Sequence, residues 1–330
     1  MKTGFARERT ARIMKGWEFV TTHQPLRLVE KPDPVVKPGY VLLKTKAGGL
    51  CHSDVSALEH ESWLPRFNLP VIMGHEICGE ILEIGEGVEG WNVGDIVAVC
   101  PLGAKDGTVG GYTRDGGYGT MCIVPEEQLI KVPEGVSFVQ AAAATDAGMT
   151  SRHALCVTGG IQPGMKVGII GVGGLGQIAV RVAVVKGCEV YVATRKPAAQ
   201  ELAKSLGATA VASNIMEFKD VGLNVIVDYA GAGKTTADAI EAIGYGGTVV
   251  VVGMSKDFAE VNTMSMITKS VTFKGSIGGD KEDIRDCLEM MATGDLDPII
   301  NVIGFEQIGE GIDMLTNGQV KGRLVALYED

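Results

Sequence analysis

The sequence predicts an α/β protein in two parts, a β-rich part of short strands and a doubly wound parallel sheet. Three observations predict this. Short apolar runs with turn punctuation fill the stretch from Met14 to about Ile130. From Lys166 onward, short apolar runs alternate with helical stretches, the rhythm of a parallel sheet covered on both faces. Between the first of those strands and the first of those helices stands Gly171-Val172-Gly173-Gly174-Leu175-Gly176, a turn of the kind that receives a pyrophosphate. The 330 residues are enough for two domains. The expected division gives 1–155 and 296–330 to the β-rich domain and 156–295 to the nucleotide-binding one. Residues 1–13 read as a short extension, basic but with no apolar stretch after it, and carry no assigned role.

In chain order, the first strand begins near Met14. Pro32-Asp33-Pro34 and Pro38-Gly39 bracket a loop before the apolar run Tyr40 to Lys46. Ile77 to Ile84, the turn Gly85-Glu86-Gly87 and Val93 to Val99 continue the pattern. In the second part, strands are expected at Lys166 to Ile170, Glu189 to Ala193, Asn224 to Asp228, Thr248 to Val252 and Val271 to Lys274. Helices are expected at about Leu175 to Lys186, Pro197 to Leu206 and Thr235 to Ile243. Helices near Lys281 to Ala292 and Phe305 to Thr316 follow, and a closing strand, Arg323 to Tyr328, returns toward the first domain.

Composition narrows the function classes. Hydrophobic content of 45% against 21% charged residues supports a sizeable core and argues against disorder. The 46 glycines suit many tight turns between short elements. A net charge of −10 argues against nucleic acid as the main partner. Seven cysteines with no C-x-x-C pair argue against a disulfide framework and for a reducing, cytoplasmic setting. No apolar run approaches the roughly 20 residues of a membrane helix.

The glycine turn sits where a dinucleotide fingerprint must sit, after a strand and opening a helix. Gly171 permits the tight turn, Gly173 lets the backbone approach the pyrophosphate, and Gly176 lets helix and strand pack closely. A glycine-rich turn without a ligand is the alternative. The next strand ends at Thr194-Arg195-Lys196, where an NAD site places a carboxylate for the ribose 2′-hydroxyl. A hydroxyl and two cations stand there instead, and they suit a 2′-phosphate, so the sequence points to NADP(H). A solvated helix start is the alternative reading of Arg195 and Lys196.

The first part carries Cys51-His52-Ser53-Asp54 and Gly74-His75-Glu76. A thiolate and an imidazole together suit zinc. Asp146 interrupts the apolar run Ala141 to Ala147, where an unpaired carboxylate would be costly, and is the candidate third ligand. Trp63, Leu64 and Phe67 follow the first motif, either as walls of a substrate pocket or as ordinary packing.

These segments, with Ile77-Cys78-Gly79, Val93-Gly94-Asp95-Ile96-Val97 and Asp115-Gly116-Gly117-Tyr118, carry a resemblance to the zinc-dependent medium-chain alcohol dehydrogenase family from Met14 to the end. The resemblance implies a GroES-like β-barrel catalytic domain and a Rossmann domain. It implies one catalytic zinc on Cys51, His75 and Asp146, with Glu76 able to exchange onto it and Asp54 orienting His75. Thr150 would pack against the nicotinamide, and Arg323 would contact the cofactor phosphates. His52, Thr150, Gly171, Gly173, Gly174, Leu175, Gly176, Thr194, Arg195, Lys196 and Arg323 form the expected cofactor set.

Two departures follow from the same comparison of motifs. Relatives with a structural zinc hold it on four close cysteines, whereas Asp95 to Gly117 holds only Cys100, so no structural zinc is expected. Ser56 stands where some relatives place a relay histidine. The expected reaction is hydride transfer between NADP(H) and an alcohol, aldehyde or ketone, with zinc as Lewis acid and Ser53 handling the proton. Reduction of an activated C=C bond, or a catalytically silent NADPH-binding protein, are the competing readings. Relatives assemble as dimers or tetramers, so a homodimer or homotetramer is expected.

Overall fold

The structure, a computed structural model, describes residues 13–329. The proposed extension therefore lies outside the described residues, except for Ile13, which opens the first strand. The chain divides into two units. One runs to Lys131 and includes Ile303–Gly318 and the segment from Ala326 onward, and the other comprises Val132–Val302 and Gln319–Val325. The sequence placed its boundaries at 155/156 and 295/296, so the two divisions differ over residues 132–155, 296–302 and 319–325.

The first unit is built on antiparallel strands. Ile13–Phe19 pairs with Arg27–Pro32 on one side and Val71–Ile72 on the other. Tyr40–Leu50 pairs with Glu76–Ile84 and with Met121–Pro125. Ile96–Val99 joins Glu76–Ile84 to Leu129–Lys131. Alternation places Val41 and Leu43, Ile77 and Ile81, Val97 and Val99, and Cys122 and Val124 in one core. Irregularities at Leu42/Leu43 and Thr45/Ala47 break the register of the long strand, the usual device for curling a sheet. The expected strand from Val93 is shorter than the sequence suggested. Asn92 to Asp95 form a turn instead, with Gly94 at φ +92 and the Asp95 carboxylate accepting from the Asn92 amide at 2.9 Å.

The second unit carries a six-stranded parallel sheet. Its order is Ala210–Ala212, Glu189–Ala193, Lys166–Ile170, Leu223–Asp228, Ile243–Val251 and Thr272–Gly275. The order reverses beside Lys166–Ile170, and in such sheets ligands bind at that reversal, outside the carboxyl ends of the strands. The helix Gly174–Val185 leaves Lys166–Ile170 at this point. Ile170, Ala193, Ile226, Ile240 and Val249 are among the buried residues of its core.

One helical stretch escapes the sequence reading. Phe138–Ala143 begins on a Ser137/Gln140 capping box and continues through a π-helical turn at Ala144–Gly148, an α turn at Met149–Arg152 and a second π turn at His153–Thr158. Ala141 to Ala144 are buried on all sides, so the run shows no amphipathic stripe for sequence analysis to find. Among the described residues, no helix is long and apolar enough to cross a membrane.

Candidate active site

In the first unit, Tyr40–Leu50 delivers the chain to Cys51, which caps the helix His52–Glu59. The cap is reciprocal, and Asp54 closes it by accepting from the Cys51 amide at 3.0 Å on Oδ2. The same oxygen accepts from the buried Tyr118 hydroxyl at 2.6 Å. Burial holds the Tyr118 phenol far above its ordinary range, with the Asp54 charge adding to the effect, so Tyr118 is a fixed donor. The other Asp54 oxygen, Oδ1, lies 3.4 Å from His75 Nδ1. A carboxylate facing one imidazole nitrogen is the arrangement that orients a histidine ligand.

His75 and Glu76 arrive through the turn at Gly74, which holds φ +93. A Cβ there would also strike the Tyr118 amide at 2.6 Å, so glycine is required both for the turn and for the approach of Tyr118. Glu76 is fully buried, and a side chain at Gly49 would overlap its carboxylate. Cys51, His75 and Glu76 each present a ligand atom, all within 4.8 Å of one another. A tetrahedral zinc sets its ligand atoms roughly 3.5 Å apart, so small side-chain rotations satisfy it. The chemistry also fits, since zinc is a borderline ion that takes a soft thiolate, an imidazole and a hard carboxylate alike.

Ser53 lies in the first turn of the same helix. Its Oγ is buried and makes no hydrogen bond of ordinary geometry. Tyr112 closes this neighbourhood and was not found from sequence. Its ring stacks on Phe67 with centroids 4.6 Å apart and meets His75 edge-on at 5.6 Å. Burial raises the Tyr112 phenol above its ordinary range, while His75 and the Ser53 hydroxyl pull it back. The signal that could have found it is the glycine pair before it. Gly111 holds φ +80, and a side chain there would strike the Gly74 backbone at 2.7 Å, so the loop can lie against the His75 turn. Phe67 is buried between Tyr112 and Phe19, whereas Trp63 is half-buried and stacks on Arg66. Cys100 and Cys122 are buried, and burial pushes the Cys122 thiol up to about 11, as expected of a structural thiol.

In the second unit, the turn at Gly171 to Gly176 has the geometry its spacing predicts. Gly171 holds φ +88, and a Cβ at Gly176 would overlap the Gly171 carbonyl. At Gly173 a Cβ would meet nothing within 4 Å, so the backbone is open on the side where a pyrophosphate approaches. Gly174 and Leu175 open the helix, and the Arg323 side chain packs over Gly174, where a Cβ would meet its Cδ at 2.7 Å. Thr194 ends its strand half-buried, and Arg195 and Lys196 are exposed, with Lys196 capping the helix Pro197–Ser205. Asp146 lies in the π turn and accepts from the Thr150 hydroxyl at 2.9 Å. Such turns are frequent at functional sites. His52 is exposed at the start of its helix.

A second loop, Tyr229 to Gly233, runs beside the glycine turn, with the Ala230 amide 3.4 Å from a Cβ placed on Gly171. The fully buried Asp228 carboxylate holds it by accepting from the amides of Ala230 and Gly231 at 3.0 and 2.9 Å and from Thr235 and Thr236, each at 2.8 Å. Replacing Asp228 with alanine strands these donors. The expected loss is about 2–4 kcal/mol of stability in the second unit, read as a lower urea midpoint. An unchanged midpoint would show that the loop is held by other contacts.

The comparisons with known proteins agree with this geometry. Residues 37–134 match the alcohol dehydrogenase GroES-like domain, and residues 174–293 match the zinc-binding dehydrogenase domain. An alcohol dehydrogenase of Geobacillus stearothermophilus is 32% identical, over 92% of this chain and 96% of that protein. The chain belongs to the zinc-dependent medium-chain alcohol dehydrogenase family. Among solved structures, an acetophenone reductase from Geotrichum candidum in complex with NAD superposes with a TM-score of 0.87 at 27% identity, covering 97% of this chain and 98% of that one. The alcohol dehydrogenase of Aeropyrum pernix does so at 0.87 and 26%, covering 95% and 99%. For a medium-chain alcohol dehydrogenase, the β-rich unit is the GroES-like part and the parallel sheet the Rossmann-like part, as the sequence predicted.

Proposed function

We propose that this dehydrogenase is an NADP(H)-preferring, single-zinc enzyme that interconverts a small alcohol and its aldehyde or ketone. The observation that carries the reading is the donor set of Cys51, His75 and Glu76, backed by Asp54 and flanked by the partnerless Ser53 hydroxyl. Asp146 is proposed as the further ligand, on the strength of the family resemblance and of its place in a π turn. Zinc bound by these residues supplies Lewis acidity to a substrate oxygen.

The chain's own residues then divide the work. Asp54, locked by the Cys51 amide and the Tyr118 hydroxyl, orients His75 through its free-standing oxygen. Ser53 Oγ gives a proton to the substrate oxygen in reduction and receives it in oxidation. Gly173 and the amides of the helix start receive the pyrophosphate, with Arg323 beside them. Thr194, Arg195 and Lys196 form the 2′-phosphate site, where no carboxylate stands to repel it. Thr150 is proposed at the nicotinamide. A saturated carbonyl is preferred over an activated C=C bond because that chemistry needs the full donor set, which is present.

Self-association as a dimer or tetramer is part of the proposal. The edge strand Thr272–Gly275 is exposed along its length, with Phe273, Ile267 and Ile277 exposed in and around it. Native mass spectrometry of protein purified without chelator reads metal and assembly together. The expected result is one zinc per chain in a dimer or tetramer. Two zincs per chain would refute the single-zinc reading, a zinc-free protein would refute the metal centre, and a monomer would refute the assembly.

A further inference from the structure

We propose that Arg114 is a positioning residue for the metal centre, acting through Tyr112 on His75. The inference rests on the reading of the active site above and goes beyond it by naming the brace that fixes one ligand. Residues 101–117 lie between Ile96–Val99 and Met121–Pro125 and form neither helix nor strand. A loop of this length needs an internal tie to keep one shape. Relatives with a structural zinc tie it by metal, whereas here Cys100 is the lone cysteine of the stretch. The Arg114 guanidinium supplies a tie from all three of its nitrogens. Nη1 donates to the Ile123 carbonyl at 2.8 Å, Nε to the Thr108 hydroxyl at 3.3 Å, and Nη2 to the Gln128 side-chain oxygen. Gln128 is fully buried and passes the link on, its side-chain nitrogen donating to the Pro101 carbonyl at 3.1 Å. Thr108 donates in turn to Asp106 at 2.7 Å, and Asp106 accepts from the Tyr40 hydroxyl. One planar cation thus joins the start and middle of the loop to the strand that follows it. A lysine, with all its donors on one nitrogen, cannot reach three acceptors set apart in that fork.

The loop so held delivers Tyr112 to His75. The turn that ends at Arg114 is closed by its own backbone. The amides of Tyr112, Thr113 and Arg114 all donate to the Val109 carbonyl, at 3.2, 2.9 and 3.3 Å, and the Gly111 amide donates to the Arg114 carbonyl at 2.8 Å. Arg114 therefore anchors a turn that carries Tyr112. Asn68 secures the same turn, its backbone amide donating to the Tyr112 carbonyl at 2.9 Å and its side chain to the Thr113 carbonyl at 3.0 Å. The Tyr112 ring, stacked on Phe67, meets the His75 ring edge-on with centroids 5.6 Å apart. Asp54 faces one nitrogen of His75, and the edge contact with Tyr112 restricts rotation of the imidazole. A ligand already held in its bound orientation loses less freedom when zinc arrives, so affinity rises.

The test is Arg114→Met, which keeps much of the side-chain length and removes every donor. On the full chain, zinc affinity is read by competition with a chromophoric chelator, and the state of the loop by amide hydrogen exchange over residues 101–117. Expected results are faster exchange in this loop and a zinc affinity lower by about tenfold, the range in which groups supporting metal ligands act. NADPH affinity is expected to stay unchanged, because the glycine turn belongs to the other unit. Arg114→Lys keeps the charge without the fork and is expected to behave as Arg114→Met does; recovery of both readouts by lysine would overturn the cross-link. In the Tyr112→Leu background, Arg114→Met is expected to change zinc affinity by less than about twofold, because the ring it acts through is gone. Thr108→Val removes one link of the web and is expected to show both effects in smaller measure, which decides the matter should Arg114→Met not fold. Faster exchange with unchanged zinc affinity would overturn the positioning role and leave only a brace for the loop. Unchanged exchange, or equal losses of affinity in both backgrounds, would overturn the proposal while leaving the metal centre intact. A wild-type chain that binds no zinc would overturn the reading of the site, and this proposal with it.

Discussion

Replacing Cys51 with serine is expected to lower turnover by about a thousandfold while NADPH binding survives. Cys51 is the thiolate of the donor set, and a serine hydroxyl at neutral pH is a far weaker zinc donor than a thiolate. Lewis-acid stabilisation of a developing oxygen charge is worth several kcal/mol, and about 4 kcal/mol corresponds to that loss in rate. Nucleotide affinity is expected to change little, because the glycine turn, Arg323 and Thr194 to Lys196 all belong to the other unit. Cys51 also caps the helix His52–Glu59, but the substitution replaces its sulfur with a hydroxyl oxygen that can accept from the same amide, so the helix start is expected to hold. Zinc content, steady-state rate and NADPH titration on one preparation check all three statements. Loss of nucleotide binding together with activity would count against this division of labour.

Arg195→Ala is expected to weaken NADPH by about 10- to 100-fold and NADH by less than about twofold. A charge-assisted hydrogen bond to a phosphate contributes roughly 1.5–3 kcal/mol, which sets the range. The selectivity follows from what stands at the end of Glu189–Ala193. Thr194 is half-buried, Arg195 and Lys196 are exposed, and no acidic side chain occupies the position where one would bind the ribose of NAD. NADH has no 2′-phosphate to lose contact with. Fluorescence titration of both nucleotides decides the matter, and an equal effect on the two would refute the phosphate reading. Lowering ionic strength is expected to widen the difference, because an exposed cation is screened by salt.

Much of this protein could be read along the chain because its function depends on short-range patterns. The strand Lys166–Ile170 and the helix Lys281–Ala292 have the bounds expected of them, since each is one apolar or amphipathic run between clear punctuation. The glycine turn was legible because each glycine answers a local demand of turn, approach or packing. Cys51, His75 and Asp146 were legible as unusual residue types in apolar or glycine-rich company. The helix from Phe138 was not, because a buried run of alanines has no polar face to set its period. The strand before Ile96 was overextended because Val93 is apolar but belongs to a turn, where it is exposed.

By itself, the sequence determined the two-part α/β organisation and the glycine turn between strand and helix, and it offered the candidate donor residues and the cations that follow the second strand of the sheet. These depend on neighbours a few positions apart, whose spacing is written in the chain. Only the tertiary structure decided that Tyr118 locks one oxygen of Asp54 while the other faces His75, that Asp228 fills the amide cradle of its own loop, and that Tyr112 comes to lie edge-on to His75. The physical reason is reach. Tyr118 meets Asp54 across 64 positions, through the close approach of backbone at Gly74, and no local propensity encodes such a meeting.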